Sequence, residues 1–289
     1  MLPPKTRGEH VMAYDTYKLL RVVRDGALVT ATVDAPPINV ITMELFQELA
    51  ALAIELEADP TALVFVLKSA DPDFFLAHFD VALLIAMANA PAAPGGEVNT
   101  YHEMCARYQR MDKVTIAQIE GRVGGGGAEL SMSFDMRFGV IGKTVINQME
   151  VPIGILPGGT GTQRLPRLVG RARAIEIILG AGDLDAETAE KWGWLNRALP
   201  ADAIDAHVSA LAKRIASFPP EAVRLAKRSI ETSALPLDEG CRIEADLFQQ
   251  LLFSDTARAK MQRFLDLGGQ TREAELRVAD LSAEVAGGG

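Results

Sequence analysis

Thiols are nearly missing from this 289-residue chain, which has only Cys105 and Cys241. Two isolated cysteines provide neither a disulfide framework nor the paired spacing of a structural zinc site, and they suit a reducing compartment; both are expected to be core thiols. Basic residues are outnumbered, 29 Lys and Arg against 38 Asp and Glu, for a formal net charge of −9. That balance argues against nucleic acid or an anionic membrane as the main partner. Long apolar runs are also lacking. The longest, Val81 to Ala93, is interrupted by Asn89 and Pro91 and is too short to span a bilayer. Met1 to Asp15 mixes Pro, Lys, Arg, Glu and His without an apolar block, so neither a signal peptide nor an anchor is expected. His10, His102 and His207 show no metal-ligand spacing. The expectation is a soluble cytoplasmic protein without a metal.

The apolar fraction, 48%, is ample for a core in one large domain or a domain with an appendage. Tyr17 to Val23 and Ala27 to Val33 read as strands joined at Arg24-Asp25-Gly26. Thr42 can cap a helix running to Ala58, with Leu45, Leu49, Leu52 and Leu56 at helical spacing and Asp59-Pro60 as its stop. Ala62 to Leu67 fits a strand buried on both faces. Ser69 to Asp80 reads as irregular, followed by a short helix, a Pro- and Gly-rich connection from Pro91 to Gly96, and a helix from Val98 to Met111. Strands are expected at Val114 to Ile119, Met136 to Val140 and Thr144 to Ile146. Past the irregular stretch Gln148 to Gln163, six segments read as helices: Leu165 to Leu179, Ala186 to Trp192, Ala201 to Ser217, Glu221 to Thr232, Leu237 to Phe253 and Asp255 to Leu267. Residues past Gln270 look frayed. The divisions are 1–14, a flexible N-terminus; 15–200, a core carrying the site; 201–270, a helical region; and 271–289, a tail.

The centre of the chain is Val114 to Leu130, where a β-branched run leads into Gly124 to Gly127 and then a helix-compatible segment from Ala128 to Phe134, with Glu129 in its first turn. Glycines let main-chain N–H groups approach a ligand closely, and a helix start adds unsatisfied donors and a positive dipole end. A carboxyl able to move a proton beside donors able to hold an oxyanion suits chemistry at a carbonyl compound. The plainer alternative is a turn needing positive φ with Glu129 as an ordinary first-turn residue. Two nucleotide motifs are excluded. Gly142-Lys143-Thr144 lacks the upstream glycine of a P-loop, which would fall at Arg137, and the dinucleotide fingerprint needs Gly or Ala where Glu129 stands.

Three blocks, Asp73 to Asp80, then Gly121 through Glu129-Leu130 and Asp135, then Glu150 to Gly154 with Pro157 to Leu165, resemble the crotonase (enoyl-CoA hydratase/isomerase) superfamily over roughly Tyr17 to Leu267. The resemblance implies an α/β fold, a spiral of ββα turns with a C-terminal helical trimerisation region, assembled as a homotrimer or hexamer. It implies that the N–H groups of Phe79 and Gly126 hold the thioester oxygen of an acyl-CoA. Glu129 and Glu150 are the implied catalytic pair, and Ala77, His78, Asp80 and Gly125 border the substrate. Coenzyme A belongs to the substrate, and no cofactor is implied. The reaction expected is hydration of a 2-enoyl-CoA to the 3-hydroxyacyl-CoA. The alternatives are double-bond isomerisation, another lyase or hydrolase reaction on a CoA thioester, or noncatalytic acyl-CoA binding.

The first block departs from the family pattern, having His78 where Ala-Gly usually precedes the donor residue. Histidine there could tolerate a positive φ at some strain, pack, or act as a titrating group. Trp192 and Trp194 are expected to pack. Lys260 and Arg263 could meet CoA phosphates across a subunit boundary or could simply occupy an exposed helix face.

Overall fold

The turn Arg24-Asp25-Gly26 closes a hairpin in the computed structural model, which describes residues 14, 16–89 and 96–287. The remainder of the expected N-terminal segment, His10, and the Pro91 to Gly96 connection except Gly96 lie outside the described residues. Strand β1 (Leu20–Asp25) pairs antiparallel with β2 (Leu28–Val33), and Gly26 takes the left-handed φ of +59° that the turn requires. Thr42 caps α1 (Met43–Ala58), accepting from the Leu45 N–H, and the four expected leucines are buried together.

The chain continues through β3 (Val64–Ser69), β4 (Phe74–Leu76), α2 (Val81–Ala88), α3 (Thr100–Arg110), β5 (Val114–Ile119), β6 (Arg122–Gly124), α4 (Gly125–Ser131), β7 (Met136–Val140) and β8 (Val145–Asn147). Next come α5 (Gly161–Val169), α6 (Arg171–Gly180), β9 (Leu184–Asp185), α7 (Ala186–Trp192) and β10 (Arg197–Leu199). A six-stranded sheet has the order β1-β2-β3-β5-β7-β10, and a four-stranded sheet the order β4-β6-β8-β9. The pairs β3/β4, β5/β6 and β7/β8 each place one strand in each sheet, one position further along at every turn, with parallel neighbours. This stepping is the spiral of ββα turns.

The helical region comprises α8 (Ile204–Ala216), α9 (Pro220–Glu231), α10 (Leu237–Leu252), α11 (Asp255–Asp266), α12 (Arg272–Glu275) and α13 (Val278–Ala286). Helix α8 buries Ile204, Val208 and Ala212 against Leu28, Val64, Val66, Ile116 and Phe138, while Phe65 and Leu67 point to the opposite core. Strand β3 is thus buried on both faces. Asp135, in the second family-like block, ties this region down: its Oδ2 accepts from Lys227 Nζ of α9 at 2.8 Å and from the Thr115 N–H at 2.8 Å.

Several expectations are corrected. The single helix Leu165 to Leu179 is two helices, because Gly170 at φ +82° breaks it. The tail past Gln270 is helical through Ala286, held by the buried Leu281 and by Lys260 and Arg263, which donate to the carbonyls of Val285, Ala286 and Glu284 at the end of α13. Those two cations therefore close a helix end. Cys105 is buried as expected, but Cys241 is exposed. Trp194 is fully buried. No helix among the described residues is long and apolar enough to cross a membrane.

Candidate active site

Strands β4, β6 and β8 lie side by side and parallel, so the segments leaving their C-terminal ends emerge together at one edge. The first segment is Ala77 to Asp80. Ile41 donates to the His78 carbonyl at 2.8 Å and accepts from the Asp80 N–H at 3.1 Å, a parallel bridge centred on Phe79. Because peptide groups alternate in direction along an extended segment, the N–H of Phe79 points away from Ile41, toward α4.

The second segment is α4, which begins at Gly125, three residues before the expected Ala128 start. Glu129 therefore sits beyond the first turn. Gly125 has φ +44°, and a Cβ there would meet Glu150 Oε1 at 3.0 Å and the His78 Cβ at 3.1 Å, so both conformation and space call for glycine. A Cβ on Gly126 would stand 3.2 Å from the Phe79 Cβ and 3.4 Å from the Phe79 nitrogen. Gly126 lies in the first turn of α4, where an N–H has no intrahelical acceptor. The fold therefore brings together two main-chain donors from distant parts of the chain.

The third segment carries Glu150, immediately before a 3₁₀ turn, Val151–Ile153. A cavity of about 290 Å³ joins these parts, lined by His78, Phe79, Tyr101, Gly126, Glu129 and Glu150, with apolar walls from Met43, Phe46, Val81, Leu84 and Leu156. Of the expected substrate-bordering residues, only His78 lines it. Ala77 and Gly125 do not line it, and the Asp80 carboxylate caps α2 by accepting from the Ala82 N–H at 2.8 Å.

Glu129 is 3% exposed, and its Oε1 accepts from the N–H groups of Gly159 and Gly161 at 2.8 and 2.7 Å. Thr160 between them holds φ at +103°, an uncommon value for a β-branched residue, and this turns both flanking amides onto one oxygen. Burial pushes Glu129 up from 4.5 to about 7, opposed by the two amides and reinforced by the charge of Glu150. Glu150 is also raised by burial, while His78 pulls it back, and its buried Oε2 has no hydrogen-bond partner. Two buried carboxyls facing one cavity, both raised by burial and one of them to about 7, are suited to proton transfer at a bound substrate.

The profile of the enoyl-CoA hydratase/isomerase family matches residues 24–271. The chain belongs to that family. Among its relatives, the short-chain-enoyl-CoA hydratase of Clostridium acetobutylicum is 27% identical over 84% of this chain and 93% of its own length. The crotonyl-CoA hydratase of Syntrophomonas wolfei is 28% identical over 86% and 96%. A crystal structure from Streptomyces avermitilis is 38% identical, covers 89% of this chain and 92% of that one, and superposes with a TM-score of 0.68. The fold is the crotonase fold, and this family member is an enzyme of the enoyl-CoA hydratase/isomerase class.

His78 does not carry strain. Positive φ among the described non-glycine residues occurs at Asn39, Thr160, Ala181 and Gln270, so His78 keeps an ordinary backbone. Its Nδ1 lies 2.9 Å from the Phe79 carbonyl. A carbonyl only accepts, so Nδ1 carries the proton and the other ring nitrogen is left free. Sequence reading missed Tyr101 and the amides of Gly159 and Gly161. The glycines were visible within the third block, but only folding shows that they face Glu129.

Proposed function

We propose that the protein adds water across the double bond of a 2-enoyl-CoA to give the 3-hydroxyacyl-CoA. The observation that carries this reading is the convergence of the Phe79 and Gly126 N–H groups with two buried carboxyls on one apolar-walled cavity. In this scheme the thioester oxygen sits between the two N–H groups. Glu129, steadied by its two amides, takes a proton from water as the water oxygen attacks C3. The electron pair moves through C2 to the thioester oxygen, and the enolate charge is held by the two N–H groups. Each donor of this type contributes about 3 to 4 kcal/mol of transition-state stabilisation. Glu150, whose Oε2 has no competing partner, delivers a proton to C2. The step balances with water and two carboxyls, without a metal or redox group.

The presence of a second carboxyl favours hydration over an isomerisation that one glutamate could perform. The named activities of the Clostridium and Syntrophomonas relatives support the same reading. For assembly, exposed Leu237, Phe248 and Phe253 on and after α10 support a homotrimer or a hexamer built from two trimers, which sedimentation would resolve from a monomer. The activity is tested by following loss of the conjugated-thioester absorbance of crotonyl-CoA and longer enoyl-CoAs. Turnover is expected; folded protein inactive on every chain length would overturn the reading.

A further inference from the structure

Tyr101, in the first turn of α3, touches both donor segments and the loop that holds Glu129 without belonging to any of the family-like blocks. Its Oη donates to the Gly126 carbonyl at 2.6 Å. Its ring meets Phe79 edge-on with centroids 5.8 Å apart and stacks on Phe46 at 5.9 Å. A Cβ built on Gly126 would lie 3.2 Å from Oη, and one on Gly159 would lie 2.7 Å from the ring, on the side of the loop that holds Glu129. One side chain therefore binds the residue carrying one main-chain donor through its hydroxyl and braces the residue carrying the other through its ring.

We propose that Tyr101 is a positioning residue that sets the separation and direction of the Phe79 and Gly126 N–H groups, which extends the hydratase reading and rests on its oxyanion site. Gly126 has no Cβ to limit its φ and ψ in the first turn of a seven-residue helix, and the bond from Tyr101 to its carbonyl holds the peptide that follows and, through it, the direction of the Gly126 N–H. Phe79 needs a restraint because its strand contact with Ile41 is an isolated bridge. Both donors gain a common reference in a partly buried ring clamped between Phe46 and Phe79. Burial raises the Tyr101 phenol well above its ordinary value, so the hydroxyl remains a donor throughout the pH range of activity. Donor stabilisation falls steeply with misplacement, and errors of an ångström cost about 100-fold in rate.

The test is Tyr101→Phe, which deletes one hydroxyl and keeps the ring, with Tyr101→Leu removing both restraints. Turnover of crotonyl-CoA is read alongside the absorption maximum of bound cinnamoyl-CoA, whose conjugated carbonyl shifts to the red when its oxygen is polarised by hydrogen bonds. For Tyr101→Phe the expected result is a kcat reduced about 10- to 100-fold, KM within twofold, and a smaller red shift of the bound probe; Tyr101→Leu should lose more of both. An unchanged red shift and unchanged kcat in Tyr101→Phe would overturn the proposal, as would loss of rate in proportion to loss of folded protein with the full red shift in the folded fraction. Absence of any red shift in the parent protein would overturn it as well. A parent protein that shifts the probe but hydrates no enoyl-CoA would sink the hydratase reading while the variants still decide the role of Tyr101.

Discussion

Glu129 Oε1 accepts the main-chain N–H of Gly161 at 2.7 Å, yet the carboxyl stands at about 7, so burial outweighs a hydrogen bond that by itself would favour the charged form. A base must be ionised to accept a proton. The acid limb of kcat/KM with crotonyl-CoA is therefore expected to fall about tenfold per pH unit below about 7. Glu129→Gln should lower kcat by about 10²- to 10⁴-fold and remove the limb from what activity remains. A pH profile flat down to the ordinary carboxylate range would contradict this.

The same shift acts on stability with a definite sign. The folded state holds the Glu129 proton up to about 7, whereas the unfolded chain releases it near 4.5, so Glu129 lowers stability progressively as pH rises between those values and by a constant amount above them. Glu129→Gln keeps the oxygen that accepts from Gly159 and Gly161 but never ionises. Urea unfolding should find it more stable than the parent at pH 8, by about 3 kcal/mol, with the difference shrinking toward zero near pH 4.5.

Replacing Glu150 with Gln removes the proton for C2 and leaves in place the two amides that hold Glu129. The kcat should fall about 10²- to 10⁴-fold. The acid limb of the residual activity should persist, because Glu129 must still be ionised to accept its proton. A pH titration of the variant reports both effects; an unaffected rate would point to chemistry needing a single glutamate.

His78 occupies the position where the family pattern has glycine, and its backbone does not need one. His78→Gly should accordingly bring no gain in stability and should cost up to about 1 kcal/mol through added unfolded-state freedom. Relief of a strained backbone would instead appear as a gain of about 1 to 3 kcal/mol in denaturant unfolding.

The opening hairpin, α1 with its Thr42 cap, β3 and the long C-terminal helices were legible because each has either a clean period or an explicit start and stop. Strands β4, β6 and β9 were not, since two or three residues carry no periodicity; their pairing is decided by the neighbouring turns of the spiral. The spiral itself came from resemblance to a family, as neither local propensity nor spacing encodes it. The start of α4 was placed three residues late because Gly125, Gly126 and Gly127 are poor helix formers. Space overrules propensity there, as a Cβ on Gly127 would lie 2.4 Å from the Leu76 carbonyl oxygen. Glu129, Glu150, Phe79 and Gly126 stood out through their motifs, and the structure brings all four to one cavity. Tyr101 did not, because an aromatic residue on an amphipathic helix reads as core until its hydroxyl is seen on the Gly126 carbonyl.

The most direct measurement of the central claim is the isotopic content of the product formed from crotonyl-CoA in water enriched in both deuterium and oxygen-18. Hydration predicts 3-hydroxybutyryl-CoA carrying one heavy oxygen at C3 and one deuteron at C2, with both labels lost together in Glu129→Gln. Deuterium entering recovered enoyl-CoA without heavy oxygen, or no labelled product from folded protein, would contradict it.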